Sequence, residues 1–276
     1  SSDLSAAQVQ YVAVARPMRD RARGAQLAET WIPAWLRQEF PAARVVLVDH
    51  HACHAAAAYY PSPFDEATVI TLDESGDGRT GLVCTARGLE MEERAEATFP
   101  DSLGALVSRT AALLGYSRFG DENRVQWLST LGEPRYADVF RAVLKPSSGA
   151  LLNLDQSYLC VDDPADRGNS APEFSEKFFG ECGLTARLDE LQRADIAASM
   201  QAALNETVCE IAAKYAAGSN LCLGGGVALN ALLAAHLESS GKFSGVFTHP
   251  AAGNAGNALG AALHVAHQTL GIERRD

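Results

Sequence analysis

The chain sets short apolar runs between alanine-rich, helix-spaced stretches, and this pattern predicts its elements. Tyr11–Ala15 reads as a short buried strand. Residues 22–39 place Leu27, Trp31 and Leu36 at helical spacing, with Phe40 following, and Pro33 is expected to bend or interrupt that stretch. Val45–Val48 is a second strand, and His51–Tyr60 is an alanine-rich helix ending before Pro61. Ala67–Leu72, Gly81–Thr85 and Leu89–Thr98 read as an antiparallel meander with glycine-containing turns. Residues 102–114 form a helix with Ser102 as N-cap. Residues 117–188 show no steady period and several Pro and Gly, the pattern of an insertion. A long helix over 189–217 closes at Gly218. Strand Asn220–Leu223, helix 228–239, strand Gly245–Thr248 and helix 254–269 complete the chain.

From residue 67 the order is β-β-β-α, insertion, β-α-β-α, which predicts an α/β fold with a mixed sheet flanked by helices. Residues 11–60, read as β-α-β-α, match only the last four of those elements. The echo is also local: Val46-Leu47-Val48 runs into Asp49-His50-His51, and Val246-Phe247-Thr248 into His249-Pro250, each before an alanine-rich helix. Two copies of one unit are expected, the first lacking its β-β-β-α half. Coincidence is the competing reading, because β-α-β-α is a common order. No low-complexity linker separates the copies, so they should pack directly together.

Composition narrows the function. With 276 residues, 47% apolar and 21% charged, the chain can bury a sizeable core as one large domain or two small ones. The net charge of −11 comes from 34 acids against 23 bases. No block of Lys or Arg stands out, which argues against a nucleic-acid partner. The six cysteines are scattered without a CxxC pair and read as reduced thiols in the cytoplasm. No apolar stretch reaches the roughly 20 residues of a membrane span. The chain starts Ser1-Ser2-Asp3, with no signal-peptide character and no initiator Met, and is expected to be part of something longer.

Four constellations can carry chemistry. In His50-His51-Ala52-Cys53-His54 the outer histidines are four apart and share one helix face, a spacing that suits a first-row transition metal. Ala52 and Cys53 exclude an HExxH protease, and Cys53 is expected to be a small packed thiol. In Thr71-Leu72-Asp73-Glu74-Ser75-Gly76-Asp77-Gly78, Asp73 still belongs to the apolar strand, where a lone carboxylate needs a partner. Gly76 is a candidate phosphate-approaching residue there, although a polar hairpin turn explains the same letters. In Gly224-Gly225-Gly226-Val227-Ala228-Leu229-Asn230, glycines join a strand to a helix whose amides can face an anion or nucleotide; a tight turn is the plainer alternative. Pro250-Ala251-Ala252-Gly253-Asn254-Ala255-Gly256-Asn257 reads by itself as a helix-packing segment with an Asn cap.

In order along nearly the whole chain, these residues resemble the NodU/CmcH family of O-carbamoyltransferases. The resemblance rests on the segment 50–58, Ser62-Pro63-Phe64, the strand ending in Asp73, and Phe99-Pro100-Asp101-Ser102-Leu103-Gly104. It continues through Glu122-Asn123-Arg124-Val125, Gly132-Glu133-Pro134-Arg135-Tyr136, Ala194–Ser199, Gly225–Asn230 and Pro250–Gly260. It implies an ASKHA fold (actin-like ATPase, duplicated RNase H-like), with residues 1–65 as a partial first lobe. Residues 66–276 would be the second lobe, with its insertion at about 117–188. It implies transfer of a carbamoyl group from carbamoyl phosphate, through carbamoyl-adenylate made with ATP, to a hydroxyl of a natural product or sugar. It implies a divalent metal, iron by family habit, held by His50, His54 and Asp73, with Asn254 where the family carries an Asp. Gly76, Gly224, Gly225, Gly226, Val227 and Asn230 would bind the nucleotide, and His51 is the candidate base for the acceptor hydroxyl. A second copy of the chain is a further candidate partner. The N-terminal strand meander and the second domain of the family are not in this chain, so the isolated chain is expected not to complete the reaction. The competing functions are a degenerate nucleotide-binding module without transfer activity and a tRNA-modification protein of related fold.

Overall fold

The computed structural model describes residues 5–15, 31–118, 120–145, 149–160, 174–185 and 187–274. The helical expectation over 22–30 lies outside the described residues. The chain begins with β1 (Tyr11–Ala15), α1 (Trp31–Glu39), β2 (Arg44–Val48) and α2 (His50–Tyr59). The described part of α1 has Pro33 in its first turn, where a missing N–H breaks no helix bond. The meander follows as β3 (Glu66–Gly76), β4 (Arg79–Arg87) and β5 (Glu90–Thr98), then α3 (Leu103–Leu113). Next come α4 (Glu122–Leu128), α5 (Ala137–Val143), α6 (Glu176–Cys182) and the long α7 (Glu190–Lys214). The chain ends with β6 (Asn220–Gly224), α8 (Ala231–Ser239), β7 (Gly245–Thr248) and α9 (Asn257–His264).

The result is a mixed five-stranded sheet in the order β5-β4-β3-β6-β7, and a separate parallel pair, β1 with β2. The meander is antiparallel, while β6 and β7 add in parallel on the free side of β3. Strand β3 alternates its sides, as a pleat requires. Ile70 and Leu72 enter the large core with residues of α3, α7 and α8. Ala67 and Val69 meet Ala55, Ala56 and Tyr59 of α2 on the other face. Both faces are covered, so 67–72 shows no apolar-polar alternation, and its two hydroxyl residues, Thr68 and Thr71, are buried with the rest.

The expected insertion is a structural part of this core. Phe140 and Phe178 are fully buried, and Phe174 stacks against Phe178 at 4.1 Å. Helices α4, α5 and α6 have only seven residues each, too few turns to display a period. Two of the segments that carry the family resemblance meet here. The backbone N–H of Glu133 donates to Oδ1 of buried Asp195 at 2.8 Å, and that of Tyr136 to Oγ of Ser199 at 2.9 Å. Gly132 lies so close to the Ala194 carbonyl of α7 that a Cβ would overlap it.

Helix α2 is started by Asp49, whose carboxylate accepts from the Ala52 amide at 3.1 Å. Buried Arg79 holds Asp49 from behind at 3.5 Å and also pairs with Glu96 at 2.7 Å. Helix α9 crosses α2 where Gly260 meets the Cys53 carbonyl, with no room for a side chain between them. Gly260→Ala is therefore expected to force the two helices apart and cost about 1–3 kcal/mol of stability. A lowered urea midpoint at unchanged slope would show it, and an unchanged midpoint would contradict it.

Candidate metal centre and adjoining cavity

The parallel pairing of β3 with β6 brings the C-terminal ends of two central strands side by side, with Thr71 opposite Gly224. Ligands gather at such strand ends in open α/β sheets. Asp73 leaves β3 at this edge, 8% exposed, inside an irregularity between Leu72 and Gly76. Its Oδ1 accepts the Glu74 amide at 2.8 Å, which turns Oδ2 toward α2. There His50 Nε2 lies 3.0 Å and His54 Nε2 2.9 Å from Oδ2, and the two Nε2 atoms are 3.0 Å apart. The i, i+4 spacing on α2 therefore does bring both imidazoles to one carboxylate oxygen. Burial works to raise the Asp73 pKa, but hydrogen bonds from His50 and His54 outweigh it and hold the carboxyl well below the usual range.

This donor set fits a divalent cation. Three lone-pair atoms stand 2.9–3.0 Å from one another. The edge of an octahedron with metal–ligand bonds of about 2.1 Å is about 3.0 Å. Two ring nitrogens this close can share a proton or a metal ion, and imidazole with carboxylate suits first-row metals. Among the described residues, His50, His54 and Asp73 are the one group of three or more His, Cys, Asp or Glu side chains so arranged.

Asp73 also lines a cavity of ≈ 260 Å³. Of the residues singled out in the sequence, Gly226, Val227, Asn230 and Asn254 line it too. Gly224 and Gly225 stand behind it. Gly225 has a φ of 85°, and a Cβ there would strike the Leu72 carbonyl. A Cβ on Gly226 would lie 2.9 Å from Asp73 Oδ1. The glycine run thus lets the chain pass tightly against the end of β3. Gly76 likewise leaves room for a neighbour, because a side chain there would enter the His50 ring. The amides at the start of α8 are partly taken, since Ala231 N–H donates to Gln126 Oε1 and Leu233 N–H to Asn230 Oδ1, each at 2.9 Å. The first turn of α8 is therefore less open to an anion than its sequence suggests.

His51 is placed apart from the cavity lining. Its side chain is fully buried, and Nδ1 lies 2.7 Å from Thr71 Oγ1 on β3. Burial first, and the neighbouring His54 and His50, push its pKa down to about 3. A group so placed stays neutral and does not line the cavity, and its assignment as base rests on the family resemblance. Cys53 is a packed thiol as expected, with its pKa pushed up to about 12 by burial and by Asp49 and Asp77. The sequence reading quoted Glu122 and Asn123 for the resemblance but gave no site role to the wall that they form with Ser108 and Gln126. Its signal was a polar triplet, Glu122, Asn123 and Gln126, around buried Val125.

Comparison with known proteins then decides the family. Residues 23–263 match the sequence signature described as "Carbamoyltransferase N-terminus". The chain belongs to this family. It is 34% identical over 234 residues to an uncharacterised protein of Synechocystis sp., covering 82% of this chain and 37% of that one. It is 33% identical over 245 residues to Nodulation protein NolNO of Sinorhizobium fredii, covering 84% and 33%. The chain thus spans about a third of the length of these curated relatives. Component A of the (R)-2-hydroxyglutaryl-CoA dehydratase of Acidaminococcus fermentans shares the fold, with a TM-score of 0.51 at 17% identity over 83% of this chain and 72% of that one. No helix among the described residues is long and apolar enough to cross a membrane.

Proposed function

We propose that the protein containing this chain is an O-carbamoyltransferase, and that this portion supplies its metal centre and part of its nucleotide site. One observation carries the reading: in a chain of the carbamoyltransferase family, two imidazoles and one carboxylate converge on the rim of a cavity floored by a glycine turn. The proposed ligands of a divalent metal are His50, His54 and Asp73, with the neutral amide oxygen of Asn254 as a weaker fourth. When bound, the metal supplies Lewis-acid stabilisation of charge on carbamoyl or phosphate oxygens. The cavity itself needs that help. Asp73, Glu74 and Glu122 line it, and among the described residues no Lys, Arg or His lines it. In this reading an anionic ligand meets the backbone at Gly226 and Val227 together with the metal cation.

In this reading Gly226, Val227 and Asn230 face the nucleotide part of carbamoyl-adenylate, made from ATP and carbamoyl phosphate. Gly76, Gly224 and Gly225 shape the site from behind. His51 is a prop that holds α2 to β3, and the base for the small-molecule acceptor hydroxyl comes from another residue. The lone parallel pair β1–β2 supports an actin-like, duplicated architecture in which residues 1–65 belong to a first lobe and 66–276 to a second. Two parallel strands do not make a self-sufficient sheet.

The full-length protein tests the reading. Incubated with ATP and carbamoyl phosphate labelled in its carbonyl carbon, it should form labelled carbamoyl-adenylate and pass the label to a hydroxyl compound. Nucleotide binding with no ATP-dependent capture of label would reject the transferase and leave a binding module.

A further inference from the structure

A ligand histidine has two ring nitrogens, and the one that does not bind metal needs a partner of its own. Around His50 that partner comes from α9. Helices α2 and α9 touch at Cys53 and Gly260. Three residues before that crossing on each helix, His50 and Asn257 face each other, with Asn257 Nδ2 3.3 Å from His50 Nδ1. Asn257 is 7% exposed, its Nδ2 also reaches Asn254 Oδ1 at 3.5 Å, and its Oδ1 is buried with no hydrogen-bond partner. A buried amide oxygen without a partner costs about 1–3 kcal/mol. Such an atom asks for a reason.

The two ends of a carboxamide have nearly the same shape, so a half-turn about the Cβ–Cγ axis exchanges Oδ1 and Nδ2. With the amide turned this way, Nδ2–H can donate only to a bare His50 Nδ1, an arrangement that would leave the ring proton on Nε2, 3.0 Å from Asp73 Oδ2. A metal ligand requires the other tautomer, with a bare Nε2 and a proton on Nδ1. After the half-turn, Oδ1 takes the place of Nδ2 and accepts that Nδ1–H. The ring stays neutral in both arrangements; only the position of its proton differs.

We propose that Asn257 is the positioning residue of the metal centre, a two-way partner that serves both tautomers of His50 by turning its amide when metal binds. This rests on the metal reading given above. An Asp at 257 would accept only, and would favour the Nδ1–H tautomer before any metal arrives. A Leu could serve neither tautomer. No charge on the ring is involved, which distinguishes the device from a pH switch.

The test uses the full chain with 15N-labelled histidine, titrated with Zn(II). Unaltered protein should show His50 protonated on Nε2 without metal and on Nδ1 with it. Asn257→Leu should bind Zn(II) about 10–100-fold more weakly. Asn257→Asp should keep the affinity and already show the Nδ1–H tautomer without metal, a shift that a merely structural side chain would not produce. Wild-type affinity in Asn257→Leu, or an unshifted tautomer in Asn257→Asp, overturns the proposal. Failure of the unaltered protein to take up Zn(II) overturns the metal reading itself, and is seen before any variant is made.

Discussion

Asp73→Ala is expected to abolish retention of a divalent metal by the full-length protein and, with it, carbamoyl transfer. Asp73 Oδ2 is the atom both imidazoles approach, at 3.0 and 2.9 Å. It is also the single anionic member of the donor set. Loss of a partner behind a ligand costs about 10–100-fold in affinity, so loss of the charged ligand itself should exceed that range. Metal content after dialysis reads the effect directly. The urea midpoint of metal-free protein separates a lost ligand from a lost fold, because Ser102 and Gly104 hold this end of β3 through its backbone. Ser102 Oγ donates to the Glu74 carbonyl at 2.7 Å, and Gly104 packs on the Asp73 backbone. Full metal content in folded Asp73→Ala protein would refute the assignment.

The second large effect is on stability as pH falls. Burial keeps His51 neutral down to about pH 3, whereas in the unfolded chain it takes a proton near 6.5. Between those values the unfolded state binds one more proton than the folded state. Stability therefore rises with pH across this window and is lost as pH drops below about 6.5, by about 1.4 kcal/mol per pH unit from this residue. Below about 3 the contribution levels off. Burial lowers the His264 pKa as well, which acts with the same sign. Asp73 acts in a more acidic range: its depressed pKa contributes stability above the unfolded carboxyl value near 3.9 and loses it as pH falls further. Urea unfolding of metal-free protein between about pH 7.5 and 4.5 should show the decline, and His51→Gln should flatten it. Equal slopes in both proteins would show that His51 does not titrate as argued.

Much of this was legible along the chain, for reasons tied to particular residues. The run 67–72 and the turns at Asp77-Gly78 and Gly88 announce the meander, because strands and tight turns are written in neighbouring letters. The histidine pair was equally local, being one turn of α2. Asp73 showed itself as a charge at the end of an apolar strand. The roles of Gly76 and Gly225 were not local. Their neighbours, the His50 ring and the Leu72 carbonyl, come from other elements. The three seven-residue helices between 117 and 188 escaped because their burial comes from α7 and from each other. Asn257 looked like one more small helix residue until α9 lay against α2.

The cavity's two walls have separate origins. The proposed metal ligands His50, His54 and Asp73 sit on α2 and β3, in the stretch before residue 77, while Glu122, Asn123 and Gln126 come from α4. In the proposed reading, one stretch of chain holds the metal and another shapes the cavity beside it. Substitutions in α4 are then expected to change what the cavity accepts while the triad of His50, His54 and Asp73 stays as it is.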